Sequence, residues 1–473
     1  MNMKADKLVL VVLAVGALAL PQATHAQEGL IEIYERALMS DPALREAEAS
    51  YLATAEAKPQ ARARLLPQLQ LGASSSTQHS ENPNAPLDFQ SGQPSLFIAS
   101  TESDRDSDNL QLGLNQTIFD WGSYMTLRQA DKIVARAETD YAVAQQELIV
   151  RVSDAYFNVL ASEDNLASAV SARESIARQL EQAQRRFEVG LIAVTDVQET
   201  QAGYDTAVAD EIAAQRVLAT SQEFLREIIG EYVTDLAGPI EDLPLLSPTP
   251  ADADQWVDTA LQQNLSLLSS RMTRDIAEDD IKIQRAVRLP TIDLSAGTSD
   301  QTSELTQLNN CRPGVPIPPT INCASVNSLS DSEGYSWQFN FSMPIFTGGA
   351  NRSRIQQSVY RHRAAMESLE RVARQTERAT RDAYLGVLSE IQRVQALRQA
   401  VESAQTALRA TQAGFEVGTR TSVDVLNVQS NLRRAETTYA RSRYDYIINT
   451  LRLKQASGSL AVEDVREVDG WLE

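Results

Sequence analysis

Histidine and cysteine are nearly absent from this chain, three and two in 473 residues. Those residue types build most metal centres and nucleophilic triads, and the patterns that carry such chemistry are missing with them. There is no Walker loop, no H-E-x-x-H, no G-x-S-x-G and no Cys/His cluster at metal-ligand spacing. No catalytic residue, metal or cofactor is therefore expected, and energy for any transport must come from a partner. His79, in a polar segment, and His362, in a charged helix, are expected to be solvated. Positive charge is also short, with 43 Lys and Arg against 63 Asp and Glu and a net charge of −20. Nucleic acid needs a basic footprint, so it is excluded as a partner, as is membrane attachment through a basic surface. The acidic excess fits either solvated faces or a cation-attracting mouth.

Long apolar runs are lacking too. The longest, Leu8 to Leu20, has 13 residues, short of the roughly 20 a spanning helix needs. It follows Lys4 and Lys7 and precedes Thr24-His25-Ala26, which reads as a signal peptide over residues 1–26, cleaved near Ala26. No cysteine lies near the cut, so lipid attachment there is not expected. In an oxidising compartment, Cys311 and Cys323 are expected to form a disulfide, the alternative being two free thiols.

What the chain does contain is a long internal duplication. Arg186 to Val197 reads R-F-E-V-G-L-I-A-V-T-D-V, and Gly414 to Val425 answers with G-F-E-V-G-T-R-T-S-V-D-V. Asp154-Ala155-Tyr156 returns as Asp382-Ala383-Tyr384 and Gly230 as Gly458, all at an offset of 228 residues. Leu66-Pro67 returns as Leu289-Pro290 at an offset of 223. Such a period is far too long for a solenoid. It divides the chain into a first repeat (27–237), a linker (238–250), a second repeat (251–460) and a tail (461–473).

Each repeat reads as helix, strand, loop, strand, very long helix, turn, long helix. Ile31 to Leu65 is helical in composition, with a break and restart at Ser40-Asp41-Pro42 and a kink expected at Pro59. After Pro67 the period becomes two: Leu69, Leu71 and Ala73 alternate with polar residues, as do Leu110, Leu112 and Leu114 beyond a polar loop of roughly Thr77 to Asp108. The second repeat does the same with Ile292, Leu294 and Ala296, then Trp337, Phe339, Phe341 and Met343. The long helices carry a three-four spacing instead, as in Leu127, Ala130, Val134, Ala137, Tyr141, Ala144 and Leu148. Neither proline nor glycine interrupts Tyr124 to Val189, 66 residues, or roughly 100 Å of helix. Asn351 to Val417 provides 67 more, and Gly190 and Gly418 are placed to end the two helices in a reversal. Glu278, Asp279 and Asp280 form an acidic knot expected to be a solvated helix face.

Four amphipathic strands of about ten residues have the length to cross a bilayer but cannot close a barrel, which needs at least eight. Left open, they would expose two edges and an apolar face. Sharing strands among copies removes both liabilities. The competing reading, a secreted coiled-coil spacer or anchor of the envelope, accounts for the helices but has no use for such strands.

In the order and duplication of Leu66-Pro67, Leu289-Pro290, Pro344-Ile345-Phe346-Thr347-Gly348-Gly349 and the two F-E-V-G tips, the chain resembles the TolC family of outer-membrane efflux and secretion proteins. The resemblance implies a mainly α fold with a membrane β-barrel part. Long coiled-coil hairpins and four β-strands per chain would build a homotrimer, whose 12-stranded barrel continues into a periplasmic α-helical tunnel. It implies a passive, gated exit duct for a tripartite efflux pump or type I secretion system, docked to a periplasmic adaptor and an inner-membrane pump of RND or ABC type, with outer-membrane lipid around the barrel. By position, Arg420 matches the family's locking arginine, Thr195 and Asp196 its partners, and Asp424 one of two constriction acids. Phe415 stands where some members have tyrosine, and Asn427 where some have a second acid, so a single charged ring is expected. Without the family, Arg420 and Asp424 are four apart and would pair with each other. Phe187, Glu188, Val189 and Gly190, with Glu416, Val417 and Gly418, are turn chemistry, adaptor contacts, or both.

Overall fold

A computed structural model describes residues 27–82, 87–88, 95–96, 98–233, 235–311 and 325–472. The signal-peptide segment, Cys323 and the Cys311 side chain lie outside the described residues. Along the chain come α1 (Leu30–Ser40), α2 (Pro42–Ala55), α3 (Ala57–Ala63), β1 (Gln68–Asn82), β2 (Leu87–Asp88), β3 (Ser95–Leu96), β4 (Ile98–Phe119), α4 (Trp121–Glu188) and α5 (Val194–Ile229). The second half supplies α6 (Ala253–Gln263), α7 (Leu265–Ala286), β5 (Thr291–Cys311), β6 (Val326–Ser342), α8 (Ala350–Glu416), α9 (Ser422–Ser457) and α10 (Val462–Asp469).

Antiparallel pairing orders the four long strands β1-β4-β5-β6. The register aligns Leu69, Leu114, Ala296 and Trp337 in one row across the sheet, and Leu294 with Phe339 and Ile292 with Phe341 extend that apolar face. Nothing among the described residues covers it: Trp337 is 69% and Phe339 61% exposed. Among the described residues, β1 and β6 each keep one unpaired edge. The strands are longer than the expected ten residues, at 15, 22, 21 and 17. Pairing continues through polar sequence, Thr77↔Asp106 to Asn82↔Thr101, because a ladder satisfies backbone groups whatever the side chains are. His79 is consequently in β1 and not in a loop, with its Nδ1 2.6 Å from Asp104.

The helices follow the sequence closely. Asp41 caps α2 by accepting from the Leu44 amide at 2.8 Å, with Pro42 at the first helical position. Pro59 lacks the N–H that Ala55 would receive, and the helix breaks at Glu56. α4 and α8 contain 68 and 67 residues, each about 100 Å long.

Two compact units cut across the repeats. One contains Glu46–Val143 and Leu265–Gln375, hence the sheet and its flanking helices. Here the acidic knot departs from expectation. Asp279 is buried, because α7 turns it against α4, where Lys132 binds it at 2.5 Å and Lys282 adds a second bond at 2.8 Å. Burial works to raise its pKa, but the two ammonium groups outweigh it and hold the carboxyl below its ordinary value of 3.8.

The other unit comprises the segment up to Arg45, Ala144–Asn264 and everything from Thr376. Its core is aromatic: Phe157 stacks on Tyr444 at 5.7 Å, and the Tyr156 hydroxyl donates to the carbonyls of Ala237 (2.7 Å) and Glu28 (3.0 Å). The Asp154 that opens the repeated Asp-Ala-Tyr takes Arg452 on both oxygens, at 3.0 and 2.8 Å. The expected tail is largely helix, with Lys454 bound to Asp464 of α10 at 2.6 Å and Leu472 bridged to Pro239.

Candidate functional site: the two hairpin tips

Both long helices end as their glycines dictate. In the first tip Gly190, at φ 75°, turns the chain while its amide donates to Phe187 O at 2.9 Å and Leu191 donates to Arg186 O at 2.9 Å. In the second, Gly418 adopts φ 78° and donates to Phe415 O at 3.1 Å, with Thr419 donating to Gly414 O at 2.9 Å. The tips are apolar at their extremity: Val189 is 70% and Val417 75% exposed, flanked by the exposed Glu188, Glu416 and Leu191. Phe187 is partly exposed as well.

The helices that return from the tips start differently. Thr421 is the N-cap of α9, and its hydroxyl accepts from the Asp424 amide at 3.3 Å. The Asp424 carboxylate answers by accepting from the Thr421 amide at 2.9 Å, completing a capping box. Bonds from the Thr421 backbone and side chain, with the nearby charge of Arg420, hold the Asp424 carboxyl below its usual range. α5 begins instead at Ala193, which offers no side-chain cap. Among the described residues, nothing donates to the Asp196 carboxylate. Thr195 and Asn427 are exposed.

Arg420 is exposed and makes no side-chain hydrogen bond or ion pair among the described residues, neither with Thr195 or Asp196 nor with Asp424. Its stem lies on the last turn of α8, where a Cβ at Gly414 would meet the Arg420 Cγ at 2.8 Å. Phe415 does face the other hairpin: the Arg186 guanidinium sits 5.0 Å from its ring centroid, a cation–π contact. Below it, Thr200 of α5 and Ser422 of α9 share a buried hydrogen bond of 2.8 Å. Gln179 donates to Gln429 at 3.0 Å, and Arg433 pairs with Asp210 at 2.8 Å. The two hairpins are thus joined by a polar ladder.

Sequence reasoning missed Arg186, Gly414, Thr200 and Ser422. A signal existed for two of them, since Arg186 and Gly414 occupy equivalent positions at the offset of 228, the largest cation against the smallest residue. Among the described residues there is no cluster able to hold a metal ion.

Comparison with known proteins fits this geometry. The chain is 35% identical to the outer membrane protein TolC of Vibrio cholerae over 448 residues, 94% of each chain. It is 28% identical over 446 residues to the alkaline protease secretion protein AprF of Pseudomonas aeruginosa, covering 93% of this chain and 86% of that one. The CmeC outer membrane channel of Campylobacter jejuni superimposes with a TM-score of 0.70 at 17% identity, over 100% of this chain and 98% of that one. Residues 33–231 and 256–459, the bulk of both repeats, match the Outer membrane efflux protein family, and the chain belongs to it.

Proposed function

We propose that this protein is the outer-membrane exit duct of an efflux pump or type I secretion system, gated at its hairpin tips. The carrying observation is the open sheet: four antiparallel strands with an uncovered apolar row and two free edges, joined to helices of 67 and 68 residues. Three copies, β6 of one beside β1 of the next, would close a 12-stranded barrel whose helices continue as a periplasmic tunnel. A coiled-coil spacer leaves the exposed Trp337 and Phe339 without purpose.

At the gate, the free Arg420 and the uncapped Asp196 are complementary. Since Arg420 has no partner among the described residues, Asp196 or Thr195 of an adjoining hairpin receives it when copies assemble. Asp424, held ionised by its cap, forms one acidic ring, with Asn427 neutral beside it. The exposed Val189, Val417 and flanking glutamates present the surface for a periplasmic adaptor, which connects to an inner-membrane pump. The mature chain begins near Gln27, and Cys311 and Cys323 form a disulfide in an outer loop, which non-reducing peptide mapping tests.

The deciding experiment is reconstitution in planar bilayers, with mass measurement in mild detergent. Discrete conductance from a trimer supports the duct; a monomer without conductance overturns it.

A further inference from the structure

Duplication gives the two hairpins equivalent positions throughout. α5 and α9 have 36 residues each, and both their ends differ by 228, as do the last residues of α4 and α8. From Asp154 to Gly230 every residue therefore has a counterpart 228 positions later.

Within the chain the hairpins meet along one junction, inside a single compact unit. α9 lies on α4, where Arg452 binds Asp154 and Tyr444 donates to Asp164 at 2.6 Å while stacking on Phe157. Nearer the tips α9 lies on α5, through the 2.8 Å bond of Ser422 and Thr200. The junction uses the α4 flank of the first hairpin and the α9 flank of the second. Their counterparts, the flank of α8 and the flank of α5, are bare among the described residues. Phe157 is fully buried, but its counterpart Leu385 is 56% exposed. Tyr444 is buried, but its counterpart Arg216 is exposed. Phe224, the counterpart of Arg452, is 61% exposed, and Val194, the counterpart of Ser422, 52%.

The two bare flanks are thus the two halves of a contact that the chain already makes with itself. Moved by the offset, the in-chain pairs name the missing ones. Ser422 with Thr200 becomes Val194 with Val428, and Arg441 with Asn158 becomes Ala213 with Gly386. In both, the two members change together, polar to apolar in one and long to small in the other, as residues in contact must. Arg452 with Asp154 becomes Phe224 with Asp382. Asp382 already holds Arg378 at 3.1 Å, so a phenyl ring meets a neutralised surface there, with Leu385 one turn away.

We propose that α5 of one copy packs on α8 and α9 of the next in the register of the in-chain junction. Val194 then meets Val428, Ala213 crosses Gly386, and Phe224 covers the turn from Asp382 to Leu385. The contact is head-to-tail, the kind that closes into a ring. The proposal rests on the shared-strand assembly above and adds the helical surface that sets its register. A second copy fits these flanks where an adaptor does not, because each flank already has its complement in this sequence.

The test uses the full-length protein with Cys311→Ser and Cys323→Ser, so that no native thiol competes. Hydroxyls bonded at 2.8 Å put their Cβ atoms within disulfide reach, so Thr200→Cys with Ser422→Cys should cross-link inside one chain. Val194→Cys with Val428→Cys should instead give covalent dimers and trimers on denaturing gels. Neither single variant should, nor should Val194→Cys with Leu432→Cys, one turn out of register. In the native-cysteine protein, Phe224→Glu, set against Asp382, should lower the midpoint of heat dissociation by about 2–4 °C, and Asp382→Arg should restore it. Phe224→Arg, which recreates the in-chain ion pair, should leave the midpoint unchanged. An intact trimer that gives no Val194–Val428 cross-link and ignores Phe224→Glu overturns this pairing and leaves the duct standing. A monomer overturns both. A trimer whose midpoint ignores Phe224→Glu while export fails would give the α5 flank to an adaptor, against the proposal.

Discussion

The two hairpin tips share one ancestral motif and close it with different chemistry. The second spends Asp424 on a capping box with Thr421, while the first has Ala193 at that position and leaves the Asp196 carboxylate free. The first carries Arg186 where the second has Gly414, and Ile192 where the second has Arg420. Arg186 is occupied by the Phe415 ring, whereas Arg420, its stem resting on the glycine, has no partner among the described residues. Among the described residues, divergence has left the Asp196 carboxylate without a donor at the start of α5 and the Arg420 guanidinium without a partner before α9. Duplication supplied two rigid reversals; a few side chains decided which charge each presents.

Removing the cation tests this contrast most severely. Arg420→Ser should raise single-channel conductance several-fold, because a charge-assisted bond is worth about 1.5–3 kcal/mol and an assembly of three copies loses three. Asp196→Asn should act in the same direction, and the double variant should add little to Arg420→Ser. Full additivity would mean that Arg420 pairs elsewhere, most simply with Asp424 on its own hairpin.

Making the tips alike is a subtler test. Ala193→Thr should recreate the capping box by drawing in Asp196, slowing amide exchange at the start of α5 through about 1 kcal/mol of local stabilisation. The same change withdraws the anion from the lock, so conductance should rise, by less than in Arg420→Ser. A slower exchange without any conductance change would separate Asp196 from the gate.

Asp424→Asn addresses the second tip alone. Cation over anion preference should weaken in reversal-potential measurements, and amides at the start of α9 should exchange faster as the cap loses its charged acceptor, with the assembly intact.

The smallest effect belongs to a carboxylate far from the tips in sequence. Asp279 has a folded pKa below its ordinary 3.8, so its contribution to stability is present above that value and disappears as pH falls through the lower, folded one. Acid titration of thermal stability should therefore show an advantage over Asp279→Asn at neutral pH that is lost as pH falls below the ordinary carboxylate range. Lys132 and Lys282 are each more than a third exposed, which screens the pair and keeps the effect modest.

Much of the fold was legible because it depends on local rules. The run free of proline and glycine to Val189 ended one residue past the observed α4, the proline-free run to Val417 one residue past α8, and the glycines at 190 and 418 took a positive φ. Strand length was not legible: beyond Ala73 the sequence loses its apolar alternation, and only the neighbouring strand shows that Ser74 to Asn82 are paired. Asp279 misled for a similar reason, since its neighbours Glu278 and Asp280 are polar and the lysine that buries it is 147 positions away. At the tips, sequence position located the charged residues but not which were engaged. That distinction came from Gly414 and the cap at Thr421, whose effects depend on distances across a turn.

The open edges of the sheet also bear on heredity. A strand edge in hydrocarbon leaves its amides and carbonyls without partners, each at a cost of several kcal/mol, so a solitary chain has no stable place in the bilayer. Closure must accompany insertion, and every subunit is needed for every pore. An allele with a ruined β1 or β6 but a sound neighbouring edge would still be recruited and would spoil the assemblies it joined. Such mutations should be genetically dominant, while loss of the whole gene should be recessive.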